Sequence, residues 1–195
     1  VRHSHQVEKT TLLGAMLREV PADERIVLVE DVRELRIEHP HVVRLEGRAP
    51  NVEGVGEITL SVLVRQALRM RPDRIVVGEV RGAEVRELMS ALNTGHEGGC
   101  GTVHANAPAD VIARFEALGA LAAMSPEAVR TQLASALQVV IHLDRSGGQR
   151  RVAEVGVIGR DPSGQLVVRA AVGGGPEGLR RGPAWPDLQR WLGSW

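Results

Sequence analysis

Short apolar runs that end in acids, with helical stretches between them, set the tightest limit on how this chain can fold. "RIVLVED" (25–31) and "RIVVGEV" (74–80) are continuous in Val and Ile, then turn acidic. "HVVRLEG" (41–47) is a third run of the same kind, and "QVVIHLD" (138–144) a fourth. Continuous apolar runs of this length suit strands buried on both faces. Between them lie helical patterns. Residues 10–20 form one, stopped by Pro21. Residues 59–70 form another, capped by Thr59 or Ser61, with Leu60, Leu63, Val64 and Leu68 as its apolar stripe. "GAEVRELMSALNTG" predicts a helix with Gly95 as its C-cap, and "PADVIARFEALGALAAM" one with Pro108 in the first turn. Residues 125–137 give a further helix capped by Ser125. Strands alternating with helices predict a mostly parallel sheet covered on both faces. The core has to be built from Val, Leu, Ile and Ala, because the chain has one Phe and no Tyr. In such a fold ligands sit at the carboxyl ends of the strands. Glu30-Asp31 and Glu79 arrive there.

The pattern changes after "RSGGQR". "RVAEVGVIGR" and "QLVVRAAV" alternate like antiparallel strands joined by the turn Asp161-Pro162-Ser163-Gly164. "GGGPEGLRRGPAWP" reads as a linker. The expected organisation is a core over 1–145, a β-hairpin over 146–173 and a flexible tail over 174–195. Trp185, Trp191 and Trp195 either pack that tail or offer it to a partner. Net formal charge is zero, so there is no global basic signal for nucleic acid, and no direct nucleic-acid contact is expected. The single Cys100 allows no intramolecular disulfide, which fits a reducing compartment. No apolar run approaches the roughly 18 residues of a membrane span, and no signal-peptide pattern opens the chain. With no initiator Met and no strand ahead of residue 9, the sequence reads as beginning within a domain.

Several residues are candidates for chemistry. Lys9, Thr10 and Thr11 lead into an apolar helical run, as at the end of a phosphate-binding loop; the alternative is a helix start with a threonine cap. Lys9 is the only lysine in the chain. Glu79, at a strand tip after a glycine, could orient water or hold Mg²⁺ through water, or it could simply pair with Arg81. Glu30, Asp31 and Glu34 make a second acidic edge, or a polar turn. His96 and His104 flank "EGGCGTV" and could sense a terminal phosphate. His96, Cys100 and His104 are evenly spaced by four, which would suit zinc on a helix, but the three intervening glycines argue against a helix. Arg44, Arg48, Arg65 and Arg69 could contact phosphate, in cis or from a neighbouring subunit, or could lie on solvated faces.

Taken in order, these motifs resemble the type II/type IV secretion ATPase superfamily. "RIVLVEDVREL" is similar to its Asp box, "LVRQALRMRPDRIVVGEVRG" to its Walker B region with the preceding helix, and "ALNTGHEGGCGTVHANAP" to its His box. "HPHVVRLEGRAPNVEGVGEIT" looks like the branch serving Tad/Flp pilus assembly and conjugal transfer. The resemblance runs from Lys9 to Asp144. It implies a RecA-like P-loop NTPase core that uses ATP and Mg²⁺. It further implies a homo-oligomeric ring, usually a hexamer, in the cytoplasm at the inner face of the membrane. There it would work with an inner-membrane platform protein to assemble pili or export substrates. Lys9, Thr10 and Thr11 would match the Walker A end, with Thr10 on the metal. Glu79 would match the Walker B glutamate, holding Mg²⁺ through water. Glu30, Asp31 and Glu34 would match the Asp-box acids, and His96 and His104 the His-box histidines. Arg44, Arg48, Arg65 and Arg69 would be the phosphate-contact arginines.

One departure bears on activity. The glycines of G-x-x-x-x-G-K-[ST] fall on His3 and Glu8. A phosphate cradle needs close backbone approach and unusual dihedrals, which glycine allows. Glu8 adds a negative charge beside a polyanion. At roughly 4 Å and an effective dielectric of 20 that repulsion is on the order of 4 kcal/mol before screening. The expectation is an ATPase motor core whose phosphate loop is degenerate. The alternative is an inactive ring subunit that serves as a binding module.

Overall fold

A computed structural model describes residues 4–95, 98–146, 149–175 and 178–193, with no side-chain description for 4–8, 146 and 149. The chain divides into two compact units. The first comprises Val1–Val103 with Leu118–Met124, the second His104–Ala117 with Ser125–Trp195.

The first unit is built on four parallel strands in the order β2-β1-β3-β4. They are β1 (Ile26–Glu30), β2 (Val42–Glu46), β3 (Arg74–Val77) and β4 (Cys100–Gly101). Every residue of β1 is buried, as expected of a central parallel strand covered on both faces. Helix α1 (Ser4–Arg18) places Leu13 and Leu17 against Ile26, Leu28, Leu35 and Val76, with Cys100 packed beside them. Strand alternation leaves Val27 and Val29 on the opposite face. Helix α2 (Leu60–Arg69) buries Leu60, Leu63, Val64 and Ala67 and starts where the Thr59 side chain accepts from Val62 N. Helix α3 (Val85–Leu92) buries Val85, Leu88, Met89 and Ala91. Gly95 takes a left-handed φ of 91° three residues after that helix ends.

Two boundaries differ from those read in the sequence. Helix α1 begins at Ser4 rather than near Thr10, because nothing from Ser4 to Glu8 is a glycine or proline that would break it. The helix that was expected from Pro108 onward opens as a 3-10 turn (Pro108–Asp110) before α4 (Val111–Leu121). Helix α5 (Pro126–Ala136) starts as read, with Ser125 Oγ accepting from Ala128 N at 3.2 Å.

The second unit carries an antiparallel sheet in the order β5-β6-β7-β8. Its strands are β5 (Val139–Ser146), β6 (Gln149–Arg160), β7 (Leu166–Gly175) and β8 (Gly178–Arg181). The run read as a fourth core strand, 138–144, belongs to this sheet. Ser146 pairs with Gln149, so the connection to β6 is only two residues long, and a connection that short joins antiparallel neighbours. The expected hairpin is therefore part of a four-stranded sheet. The segment expected as a flexible tail is also structured. It holds the end of β7, then β8 and helix α6 (Trp185–Leu192). Gly174 serves close approach rather than looseness: a Cβ there would lie 2.7 Å from the Val152 carbonyl oxygen. Val157, Ala171, Ala184 and Leu188 form a small core with Trp185 and Trp191 packed against it. The Arg181 guanidinium stacks 4.6 Å from the Trp185 ring centroid. Trp195 lies outside the described residues.

Candidate functional site

The carboxyl ends of β1 and β3 lie side by side, because Val29 and Val77 are paired in register. The chain beyond β3 stays bonded to both neighbours. Gly78 N donates to the Val29 carbonyl at 2.9 Å, and Val80 N to the Thr102 carbonyl at 2.8 Å. Thr102 Oγ1 donates back to the Gly78 carbonyl at 2.6 Å. The strand tip that carries Glu79 is thus tied down on two sides.

Glu30 is 5% exposed, and its carboxylate is already engaged. One oxygen accepts from Glu34 N at 3.0 Å and Leu35 N at 2.8 Å, and the other lies 3.5 Å from Arg44 Nη1. Arg44 also donates to the Leu35 carbonyl at 2.8 Å. Glu30 and Arg44 together anchor the loop that follows β1. Gly78 makes room for them: a Cβ there would sit 2.8 Å from Glu30 Cγ.

Asp31 and Glu79 meet through Arg81. Arg81 Nη2 donates to Asp31 Oδ2 at 2.7 Å, and Arg81 Nε lies 3.4 Å from Glu79 Oε2. The hydrogen bond to Asp31 raises the Arg81 guanidinium above its ordinary value. Partial burial opposes this, and the charges of Glu79, Asp31 and Glu34 reinforce it. Glu79 is nearly buried, with its side chain 10% exposed, whereas Asp31 is 44% exposed. Glu34 is exposed. Glu84, a residue the sequence reading passed over, fixes the turn beneath. Its Oε1 accepts from Arg81 N at 2.6 Å and Gly82 N at 2.7 Å. The "GEVRGAE" spacing, with an acid three residues after the arginine, was the available signal for this self-capping turn.

The phosphate side is arranged differently. Lys9 lies in the second turn of α1, and its Nζ donates to the Val103 carbonyl at 3.0 Å. Thr10 is half-buried and Thr11 exposed. With α1 helical from Ser4, the backbone N–H groups of Lys9 and Thr10 are taken up inside the helix. They cannot also cradle a phosphate, so the residues here do not fit nucleotide phosphates in this conformation. Arg48 Nε donates to the Gly56 carbonyl at 2.7 Å, holding a surface loop. Arg65 pairs with Glu87 at 2.8 Å, and Arg69 is exposed one turn further along α2. His104 is exposed and belongs to the second unit; His96 lies outside the described residues.

Cys100 is no metal ligand in waiting. It packs in the apolar cluster under α1, and burial pushes its thiol up to about 12, with Arg74 pulling weakly the other way. Among the described residues no group of three or more His, Cys, Asp or Glu is gathered for direct metal binding.

A parallel α/β sheet with acids at its carboxyl edge and a helix carrying Lys-Thr-Thr over one face defines the RecA-like class of P-loop NTPase folds, here joined to an antiparallel C-terminal sheet. Residues 8–164 match the profile of the Type II/IV secretion system protein family, and the chain belongs to that family. It is 64% identical over 151 residues to the "Putative conjugal transfer protein Rv3659c" of Mycobacterium tuberculosis, covering 77% of this chain and 43% of that protein. It is 35% identical over 150 residues to the conjugal transfer protein TrbB of Rhizobium radiobacter, covering 75% and 44%. Among solved structures it resembles the VirB11 ATPase of the Brucella suis type IV secretion system in complex with sulphate. That likeness has a TM-score of 0.68 at 30% identity, over 80% of this chain and 47% of that one. The chain spans less than half the length of each of these proteins.

Proposed function

We propose that this chain is part of the ATPase motor of a secretion, conjugal-transfer or pilus-assembly machine, and that it supplies the water-activating half of the nucleotide site. One observation carries the reading: Asp31, Glu79 and their shared arginine converge at the carboxyl edge of the parallel sheet. In this reading Glu79 orients the attacking water and holds Mg²⁺ through water. Asp31 and Glu34 stand at the solvent edge of the same site. Glu30 and Arg44 support the loop rather than touch substrate. Lys9 and Thr10 would serve the phosphates and the metal only after the start of α1 unwinds. Arg65 and Arg69, on the exposed side of α2, are the arginines best placed to reach a neighbouring subunit in a ring, a hexamer by family resemblance. The parallel-sheet unit carries this chemistry. The ring would stand in the cytoplasm against an inner-membrane platform protein.

A second reading, a ring subunit that binds partners without hydrolysing, is favoured by one feature: α1 runs as helix through the positions where a cradle would be. A Mg²⁺-dependent ATPase assay separates them. The chain itself is expected to show little or no turnover. His3→Gly with Glu8→Gly, joined to the part of the mycobacterial relative that this chain does not span, is expected to gain it. A repaired protein that still fails to bind ATP would remove Lys9 from the nucleotide site and leave the binding-module reading.

A further inference from the structure

We propose that Arg81 is a positioning residue that makes the placement of Glu79 conditional on Asp31. The guanidinium is divided between two carboxylates on neighbouring strand tips, 2.7 Å from Asp31 and 3.4 Å from Glu79. Its main chain has no freedom to drift, because Glu84 holds the N–H groups of Arg81 and Gly82. Gly47 in turn leaves room for Asp31: a Cβ there would lie 3.3 Å from Asp31 Oδ1. The shorter, better-formed bond is the one to Asp31, so Asp31 sets where the fork sits and Glu79 takes what remains. The two acids differ in access, with Asp31 open to solvent and Glu79 nearly buried. A hydrated divalent cation or a polyanion approaching from solvent meets Asp31 or Arg81 first. Drawing either away changes the contact that Arg81 makes with Glu79. A neutral residue at either position uncouples the pair, and a lysine reaches one acid but not both.

That Glu79 is the water-orienting acid rests on the function proposed above; the coupling itself does not. The test therefore uses the chain without nucleotide. The carboxyl carbon resonances of Glu79 and Glu30 are followed by NMR in the wild-type chain and in Asp31→Asn, Arg81→Gln and Arg81→Lys. The expected result is that Asp31→Asn and Arg81→Gln both shift the Glu79 signal. Glu30, held by backbone N–H groups and Arg44, stays in place as the internal control. Arg81→Lys is expected to restore the Glu79 signal only in part. A Glu79 signal unmoved by Asp31→Asn overturns the proposal, as does full restoration by lysine. Thermal unfolding of each variant confirms that the comparison is between folded chains. If Asp31→Asn does not fold, the lysine variant alone decides, by the same criterion. Loss of ATP turnover in a repaired protein with these shifts absent would count for Glu79 and against the coupling.

Discussion

Two places in the first unit were expected to share one job, and they are built on opposite plans. At the tips of β1 and β3 four acids have defined partners: Glu30 has two backbone N–H groups, Glu84 has two more, and Asp31 and Glu79 share Arg81. At the start of α1 the backbone is satisfied by its own helix, and Lys9 reaches a main-chain carbonyl. The first arrangement is organised before any ligand arrives. The second would have to be undone to admit one. Preorganised acids lower the cost of catalysis, whereas a helix that must unwind adds to it.

Removing Glu30 should break the organised half most severely. Glu30→Ala leaves the buried N–H of Leu35 and the part-buried N–H of Glu34 unmet and strips Arg44 of its acid. It is expected to cost about 3 kcal/mol in chemical denaturation, in the range for an unpaired buried polar network. Glu84→Ala removes two short bonds to backbone N–H and is expected to cost about 2 kcal/mol. It should also loosen Arg81, seen as faster exchange of the guanidinium Nε proton. Both losses would be far smaller if these acids were as loosely held as the surface pair of Arg65 and Glu87, which contributes about 0–1 kcal/mol.

Cys100 sharpens the contrast from beneath α1. Its thiol is raised from an ordinary value of 9.0 to about 12, so the folded state holds the proton that the unfolded state gives up. Any stability this contributes is complete below 9.0 and is lost as pH rises toward 12. Alkylation at pH 8 should be slowed by about a hundredfold or more in the native chain relative to the unfolded one, measured by mass spectrometry. Fast labelling would show that α1 lifts off the sheet. The smallest effect belongs to the far turn between β6 and β7. Hydrogen bonds from Ser163, and from the Gln165 and Ser163 backbone, hold the Asp161 carboxyl below the usual range. Asp161→Ala should lower Tm slightly at neutral pH. The difference should fade as pH falls through the carboxylate range, because the wild-type turn then loses its acceptor.

Much of the first unit was legible because its signals are local. Runs of Val and Ile marked β1 and β3, Thr59 marked a helix start, and the acids after those strands had only one edge of a parallel sheet to occupy. What stayed hidden depends on partners distant in sequence. The role of Glu30 is decided by Arg44 and by the missing Cβ of Gly78, and the link from Asp31 to Glu79 by an arginine fifty positions on. The sheet membership of 138–144 could not be read from its own residues, since an apolar run pairs equally well in either sheet. The glycines of 173–175 look like linker in composition, yet they end strand β7, and at Gly174 the backbone of β6 passes close. The resemblance to the secretion ATPases put the acids in one group but could not divide support from chemistry.

The central claim is that this chain holds a finished acid half and an unformed phosphate half. Calorimetric titration of Mg·ATP into the purified chain tests it most directly. The expected result is no saturable binding, unchanged by Lys9→Ala. Saturable binding at one site per chain that Lys9→Ala abolishes would show that a cradle forms here after all, and would contradict the account.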